Sequence, residues 1–355
     1  MIELILKGLQ IKISRLADKA WLGIVFVTLK TQSKKYLVLL LIFLLTLAVI
    51  SINANLSCLG WFKAKPLLYQ EKRVSMGTFV EVISPEKAAT KIVFAEIQRI
   101  DNLLSKYNQN SEIARLNKEG RLAVSRDTAY LLRKAKEFWL KSGGALDITV
   151  GPLLQLWGFT DKDYRVPEKK EIKKTLELVG MEKIVFVESD NVVEFSLPGM
   201  QIDLGAIAKG YAIDCAVKKL KENNIKSCLI NTGGNIYCLG NKFGKPWEIA
   251  IQDPREEGGF LDYLRLEDQA VATSGDYEQY FTKKNTRYAH IFNPRTGSPV
   301  NSGIISVTVI APDALTADAL STSIFVLGKR QGMELAGRFA GVKVKIVEEK
   351  DVELP

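Results

Sequence analysis

The chain holds a single histidine, His290, in 355 residues, and only four cysteines, none in a Cys-x-x-Cys spacing. Cys215, Cys228 and Cys238 have no histidine near them in sequence, so neither a zinc ligand set nor a thioredoxin-type pair is supported. Burial is the plainer role for these thiols, with a Cys228–Cys238 disulfide across a hairpin as the minor alternative. Low-complexity tracts are absent, and no internal repeat survives a count of matches. Basic runs interleaved with aromatics are absent too, which argues against a nucleic-acid partner despite a net charge of +9. That charge is unevenly placed: residues 1–35 carry seven Lys or Arg against Glu3 and Asp18, a local +5, leaving +4 for the other 320 residues. With 47% hydrophobic and 25% charged residues, the composition is globular.

No charged residue occurs from Tyr36 to Phe62, and Tyr36 to Ile52 reads YLVLLLIFLLTLAVISI. A helix of that length rises roughly 25 Å, close to the hydrocarbon thickness of a bilayer. The expected layout is a basic leader over 1–35, a transmembrane or signal segment over 36–52, a tether over 53–68 and a folded domain over 69–350. Lys30, Lys34 and Lys35 hold the leader inside by the positive-inside rule, so the body is expected on the extracytoplasmic side of the cytoplasmic membrane. Cys58, in Leu56-Ser57-Cys58, loosely resembles a lipoprotein box. Lipidation there and an uncleaved anchor both stand. The leader is long for a signal sequence, and a start near Val27 or Leu29 would make it an extension of the coding sequence.

Past the tether, QEKRVSMGTFVEVIS predicts paired strands around Gly77, and Pro85 opens a helix with apolar positions from Ile92 to Leu104. Further helices are expected over about 126–141, ended by Gly143-Gly144, and over about 206–224. The runs CLINT, IYCLG, WEIAIQD, YLRL and AVAT predict an antiparallel meander; a strand, two helices and a strand follow. The fold class is α+β, antiparallel sheets with packed helices, preceded by the membrane segment.

Five stretches concentrate small polar residues where a plain helix or sheet has no need of them. In KSGGALDITVGP, Asp147 lies in an apolar setting, and the glycines admit either a sharp turn or a ligand. QIDLGAIAKGYAID carries Asp203 into a helix whose early turns hold Lys209; phosphate recognition and an N-capping aspartate with a surface lysine are both open. NTGGN joins two strands through a glycine pair. His290 precedes a Pro-Arg-Thr-Gly turn suited to anion recognition, although a lone histidine is more often simply packed. In TADALSTSIFVLG, Asp318, Ser321 and Thr322 fall on one helical face, as a polar stripe or as hard oxygen ligands for magnesium.

Taken in order, MGTFVEV, SKYNQNSEIARLN, GALDITVGP, IDLGAIAKGYAID, INTGGNIYCLG, ATSGDYEQYF, HIFNPRTGSPV and ADALSTSIFVLG resemble the ApbE family of flavin transferases across residues 70–347. The resemblance implies a fold like a duplicated T-fold and a magnesium-dependent transfer of FMN from FAD to a Thr or Ser hydroxyl of another protein, with release of AMP. It implies acceptors among exported or membrane-bound electron-transfer proteins. It also implies that Met76, Tyr107, Ala145, Leu146, Asp147, Asp203, Lys209 and His290 meet FAD. Magnesium would be held by the Ala206 carbonyl with Asp318, Ser321 and Thr322. Lys209 and Asp318 would stabilise charge, and either His290 or a site aspartate would take the acceptor's proton. Leu146 and Ala206 stand where relatives often carry Phe and Gly or Ser. An FAD pyrophosphatase and a non-catalytic FAD-binding lipoprotein would use the same pocket, so both remain as alternative functions.

Overall fold

The computed structural model describes residues 67–187, 191–256 and 258–351, together with residues 39, 41–49 and 51. Those last positions are helical and exposed; the rest of the expected 36–52 membrane segment, and Cys58, lie outside the described residues. Among the described residues no helix is long and apolar enough to cross a membrane. The chain divides into a unit up to Pro66 and a unit from Leu67 onward, and everything below concerns the second.

In chain order this unit runs β1 (Tyr69–Ser75), β2 (Thr78–Ser84), α1 (Ala88–Leu104), α2 (Glu112–Glu119), β3 (Arg121–Ala123) and α3 (Arg126–Lys141). Then come α4 (Gly151–Leu156), α5 (Lys169–Leu176), β4 (Ile184–Val187), β5 (Val192–Phe195) and α6 (Ala208–Glu222). Strands β6 (Cys228–Thr232), β7 (Asn235–Leu239), β8 (Trp247–Gln252), β9 (Phe260–Leu266) and β10 (Gln269–Gly275) follow. The remainder is β11 (Tyr280–Lys283), β12 (Thr286–Ala289), β13 (Phe292–Asn293), β14 (Ser298–Pro299), β15 (Ile304–Ala311), α7 (Ala314–Leu327), α8 (Lys329–Ala336) and β16 (Lys343–Glu348).

Seven strands form one antiparallel sheet in the order β1-β2-β6-β7-β10-β15-β16. The expected meander is interrupted, because β8 and β9 pair with each other and leave β7 to pair directly with β10. Their one-sided apolar pattern explains this. Trp247, Ile249 and Leu266 pack with Leu229, Cys238 and Val271 in a cluster separate from the main core, so the hairpin covers the second face of the sheet. Cys228 belongs to the main core and Cys238 to this smaller one, and both are free thiols.

Helices α1, α6 and α7 cover the first face. Helix α7 is buried nearly all round, from Ala314 to Phe325, as a central helix must be. It approaches α6 closely: a Cβ on Gly210 would lie 2.3 Å from the Ala314 carbonyl oxygen, so only glycine fits. Asp214 of α6 accepts hydrogen bonds from the Ala314 and Leu315 N–H groups at 2.8 and 2.9 Å, capping α7 from its neighbour. The two helices are thereby locked in the register that the site needs.

Candidate active site

The register of the large sheet brings the β1–β2 turn, the β6–β7 turn and the last residues of β10 to one end. Beside that end lie the first turn of α6 and the middle of α7, and together they enclose a cavity of about 1260 Å³. Pockets for drug-sized ligands are typically about 300–1,000 Å³, so a dinucleotide fits by volume.

Met76, Tyr107, Ala145, Leu146, Asp147, Asp203, Ala206, Lys209, His290, Asp318 and Thr322 all line this one cavity, although they lie far apart in the sequence. Ser321 does not. Its hydroxyl is buried, donating to the Asp318 carbonyl at 2.9 Å and lying 2.9 Å from Ser274 Oγ, because position 321 faces β10 while 318 and 322 face the cavity. Ser274 also meets Thr322 Oγ1 at 3.2 Å, and Asp318 Oδ2 accepts from the Gly210 N–H at 2.9 Å. The result is a cluster of one carboxylate and three hydroxyls.

The cluster fits a hard divalent cation by donor chemistry, since all its atoms are oxygen. Among the described residues no three His, Cys, Asp or Glu gather to hold a metal, so a cation here would rest on one carboxylate and neutral oxygens.

Asp203 sits on an extended connection and not at the end of a strand; its N–H donates to the Ile148 carbonyl at 2.7 Å in place of a strand partner. Nor does it cap α6, whose N-cap position is Ile207. Burial opposes its ionisation, but Lys106 Nζ at 2.7 Å holds the carboxyl below its ordinary range. Sequence reasoning missed Lys106, although it lies in the quoted stretch SKYNQN. Lys209 reaches back to the Gly205 carbonyl at 3.3 Å and, among the described residues, forms no ion pair. Its charge faces the cavity.

Asp147 caps the turn Ile148–Val150, accepting from Thr149 N at 2.8 Å, and burial raises its carboxyl above the ordinary value. Gly143 and Gly144 end α3 with φ of +62° and +89° and do not line the cavity, so this pair makes a turn. Met76 takes a left-handed backbone, φ +51°, which Asp101 Oδ2 stabilises by accepting from Met76 N at 2.9 Å and from Ser75 Oγ at 3.0 Å.

His290 is positioned from both sides. The β11–β12 hairpin before it stacks Phe281 on Tyr164 and Tyr288, and Phe292 after it packs edge-on against Trp157 and Phe159. Its Nδ1 lies 3.2 Å from the Gln279 carbonyl oxygen, which can only accept, so Nδ1 carries the proton and Nε2 the lone pair. Burial first, and the charge of Lys209 second, push its pKa down to about 4, so the imidazole is neutral at pH 7. Arg295 of the following turn donates to the Gly143 carbonyl at 2.6 Å, tying that turn to the end of α3; only Pro294 of the turn lines the cavity. Glu278 and Ser274, also unforeseen, complete the polar wall.

Residues 76–346 match the ApbE family. The chain belongs to that family. FAD:protein FMN transferase of Vibrio cholerae is 35% identical over 263 residues, covering 71% of this chain and 78% of that protein. The protein of the same name from Treponema pallidum is 33% identical over 311 residues, covering 81% and 85%. Among solved structures, the ApbE protein of Thermotoga maritima superposes with a TM-score of 0.75 at 35% identity, covering 80% of this chain and 95% of that one. The flavin transferase ApbE of Vibrio cholerae gives 0.71 at 29%, covering 80% and 98%. An ApbE fold thus extends over the whole unit that carries the cavity.

Proposed function

We propose that this chain splits FAD and transfers the FMN half to a Thr or Ser hydroxyl of an acceptor protein, with AMP as the leaving product. What carries the reading is the meeting, in one cavity, of Lys106, Lys209, a neutral histidine and an oxygen cluster against apolar walls. Cations and donors answer a pyrophosphate, and the apolar lining answers a planar ring system. The name shared by the family relatives supports the same reaction.

In this reaction the acceptor oxygen bonds to the FMN phosphorus, and the bond from that phosphorus to the bridging oxygen breaks, so AMP departs with the bridging oxygen. The hydroxyl proton passes to His290 Nε2, whose lone pair is free because Nδ1 is held by Gln279. Asp203, the rival base, is engaged by Lys106 and accepts from Gly205 N at 2.8 Å. Lys209 offers its charge to the phosphate oxygens. Asp318, Thr322, Ser321 and the Ala206 carbonyl would hold magnesium, whose chemistry is to neutralise pyrophosphate charge; Ser321 would first turn from its present partners.

The reading extends to location. Lys30, Lys34 and Lys35 ahead of an uncharged run support an anchored unit outside the cytoplasmic membrane, acting on exported or membrane-bound electron-transfer proteins. Mass spectrometry of a candidate acceptor incubated with the protein, FAD and magnesium tests the reaction. An FMN-sized adduct on a Ser or Thr is expected; free FMN plus AMP would make the chain a pyrophosphatase, and unchanged FAD a binding protein.

A further inference from the structure

Two buried side-chain atoms among the described residues have no hydrogen-bond partner, Asn235 Nδ2 and Thr232 Oγ1. The residues are register partners on either side of the Gly233-Gly234 turn and are 3% and 0% exposed. A buried donor without an acceptor costs stability, and native structures seldom keep one without a use. Asn235 lines the cavity and Thr232 does not. Its position is fixed: Gly234 N donates to Asn231 Oδ1 at 3.0 Å, and Gly233, φ +57°, packs so tightly that a Cβ there would lie 2.4 Å from Thr78 Oγ1. Ile236 is opposite Val271, and continuing that register one step puts Asn235 beside Ala272 on the face that also carries Ser274. Ser274 Oγ meets Ser321 and Thr322. The unsatisfied amide therefore shares a face and a sheet end with the oxygen cluster.

We propose that Asn235 is a further substrate-binding residue, whose side-chain amide donates to a phosphate oxygen of FAD. This rests on the reading of the cavity as an FAD site. The apoprotein carries an unmet donor, and substrate meets it.

The test compares Asn235→Ala, the isosteric Asn235→Asp and Thr232→Val with the unaltered full chain, by thermal melting without ligand and by fluorescence titration with FAD and with riboflavin, which has no phosphate. Asn235→Ala should leave the apo melting temperature unchanged or raised while weakening FAD about tenfold. Asn235→Asp should weaken FAD further, since a carboxylate repels phosphate, and riboflavin affinity should hold in both. Thr232→Val should leave FAD affinity alone. Normal FAD affinity in Asn235→Ala, or in Asn235→Asp if the alanine variant does not fold, overturns the proposal. So does an equal loss of riboflavin, which moves the contact to the ring, or a matching FAD loss in Thr232→Val, which would mean that the two orphans satisfy each other. Failure of the unaltered chain to bind FAD would instead overturn the reading of the cavity itself.

Discussion

Lys106 Nζ stands 2.7 Å from Asp203 Oδ2, with the two side chains only 19% and 14% exposed, so the carboxylate in the cavity wall arrives with its own cation. The pair divides labour between Lys106 and Lys209. Lys106 is largely answered by Asp203, and Lys209 is left to present charge to a ligand and to press on His290.

Lys106→Met should strand Asp203 in a poorly hydrated place and cost on the order of 3 kcal/mol, as breaking a buried pair does. In the unaltered protein the Asp203 carboxyl is held below its unfolded value. The stability it contributes is fully present above the ordinary carboxylate range and is lost only as pH falls through the lower folded value. Without Lys106, burial pushes the Asp203 carboxyl above its unfolded value, so protonation relieves the penalty, and the gap between the melting temperatures of the variant and the unaltered protein should close as pH is lowered from 6. Superimposable pH profiles would show that the pair contributes nothing.

Because His290 is the chain's only histidine, untagged protein gives one imidazole titration by NMR. Its midpoint should lie near pH 4. A histidine depressed on folding adds stability that is complete above its unfolded pKa, about 6.5, and is lost as pH drops toward the folded value. Lys209→Ala should raise the midpoint without restoring 6.5, since burial is the larger cause. A wild-type midpoint near 6.5 would place the ring in water and weaken its claim as a held, neutral base.

What the sequence made legible follows from how each signal is built. Helix α3 runs over the expected 126–141, because Ser125 caps Thr128 N and a glycine pair ends the helix. The short helices α2, α4 and α5 went unforeseen; α5, Lys-rich with no fully buried residue, packs only Ile172 and Leu176 against its neighbours, too short an apolar stripe to read from sequence. The departure of β8 and β9 from the meander was hidden as well, since alternation tells that a strand has one apolar face but not which sheet receives it. Site residues with family motifs could be named in advance. Lys106 and Ser274 lie inside two of those motifs and were still passed over, because a lysine beside a tyrosine and a serine in a strand carry no spacing of their own until the fold sets them against Asp203 and Thr322.

Met76 holds a left-handed backbone that methionine rarely adopts, and Asp101 is what keeps it there. Met76→Gly should leave the apoprotein's stability equal or higher, by up to about 1 kcal/mol, while losing an apolar contact in the cavity. Asp101→Ala should free the turn and raise the KM for FAD several-fold, with a smaller change in kcat. Steady-state kinetics of both variants decide the matter, and an unaltered KM in Asp101→Ala would remove the turn from substrate binding.

The metal assignment turns on Asp318. It is the one carboxylate of its cluster, 3% exposed, with Oδ2 already accepting from Gly210 N, so its charge is held at the base of α6 and directed toward the cavity. Asp318→Asn retains the size and one oxygen, which can keep the Gly210 bond and the α6–α7 packing, but it removes the charge that makes a hard cation worth dehydrating. Transfer at limiting magnesium should fall on the order of a hundredfold or more, because charge neutralisation matters most in the transition state. FAD affinity should fall less, since ring contacts remain, and raising magnesium should recover part of the rate. The melting temperature serves as the control for packing. A normal transfer rate in Asp318→Asn at limiting magnesium, or full activity of the unaltered protein in excess chelator, would remove the cation from this cluster and leave Asp318 as a residue that joins two helices.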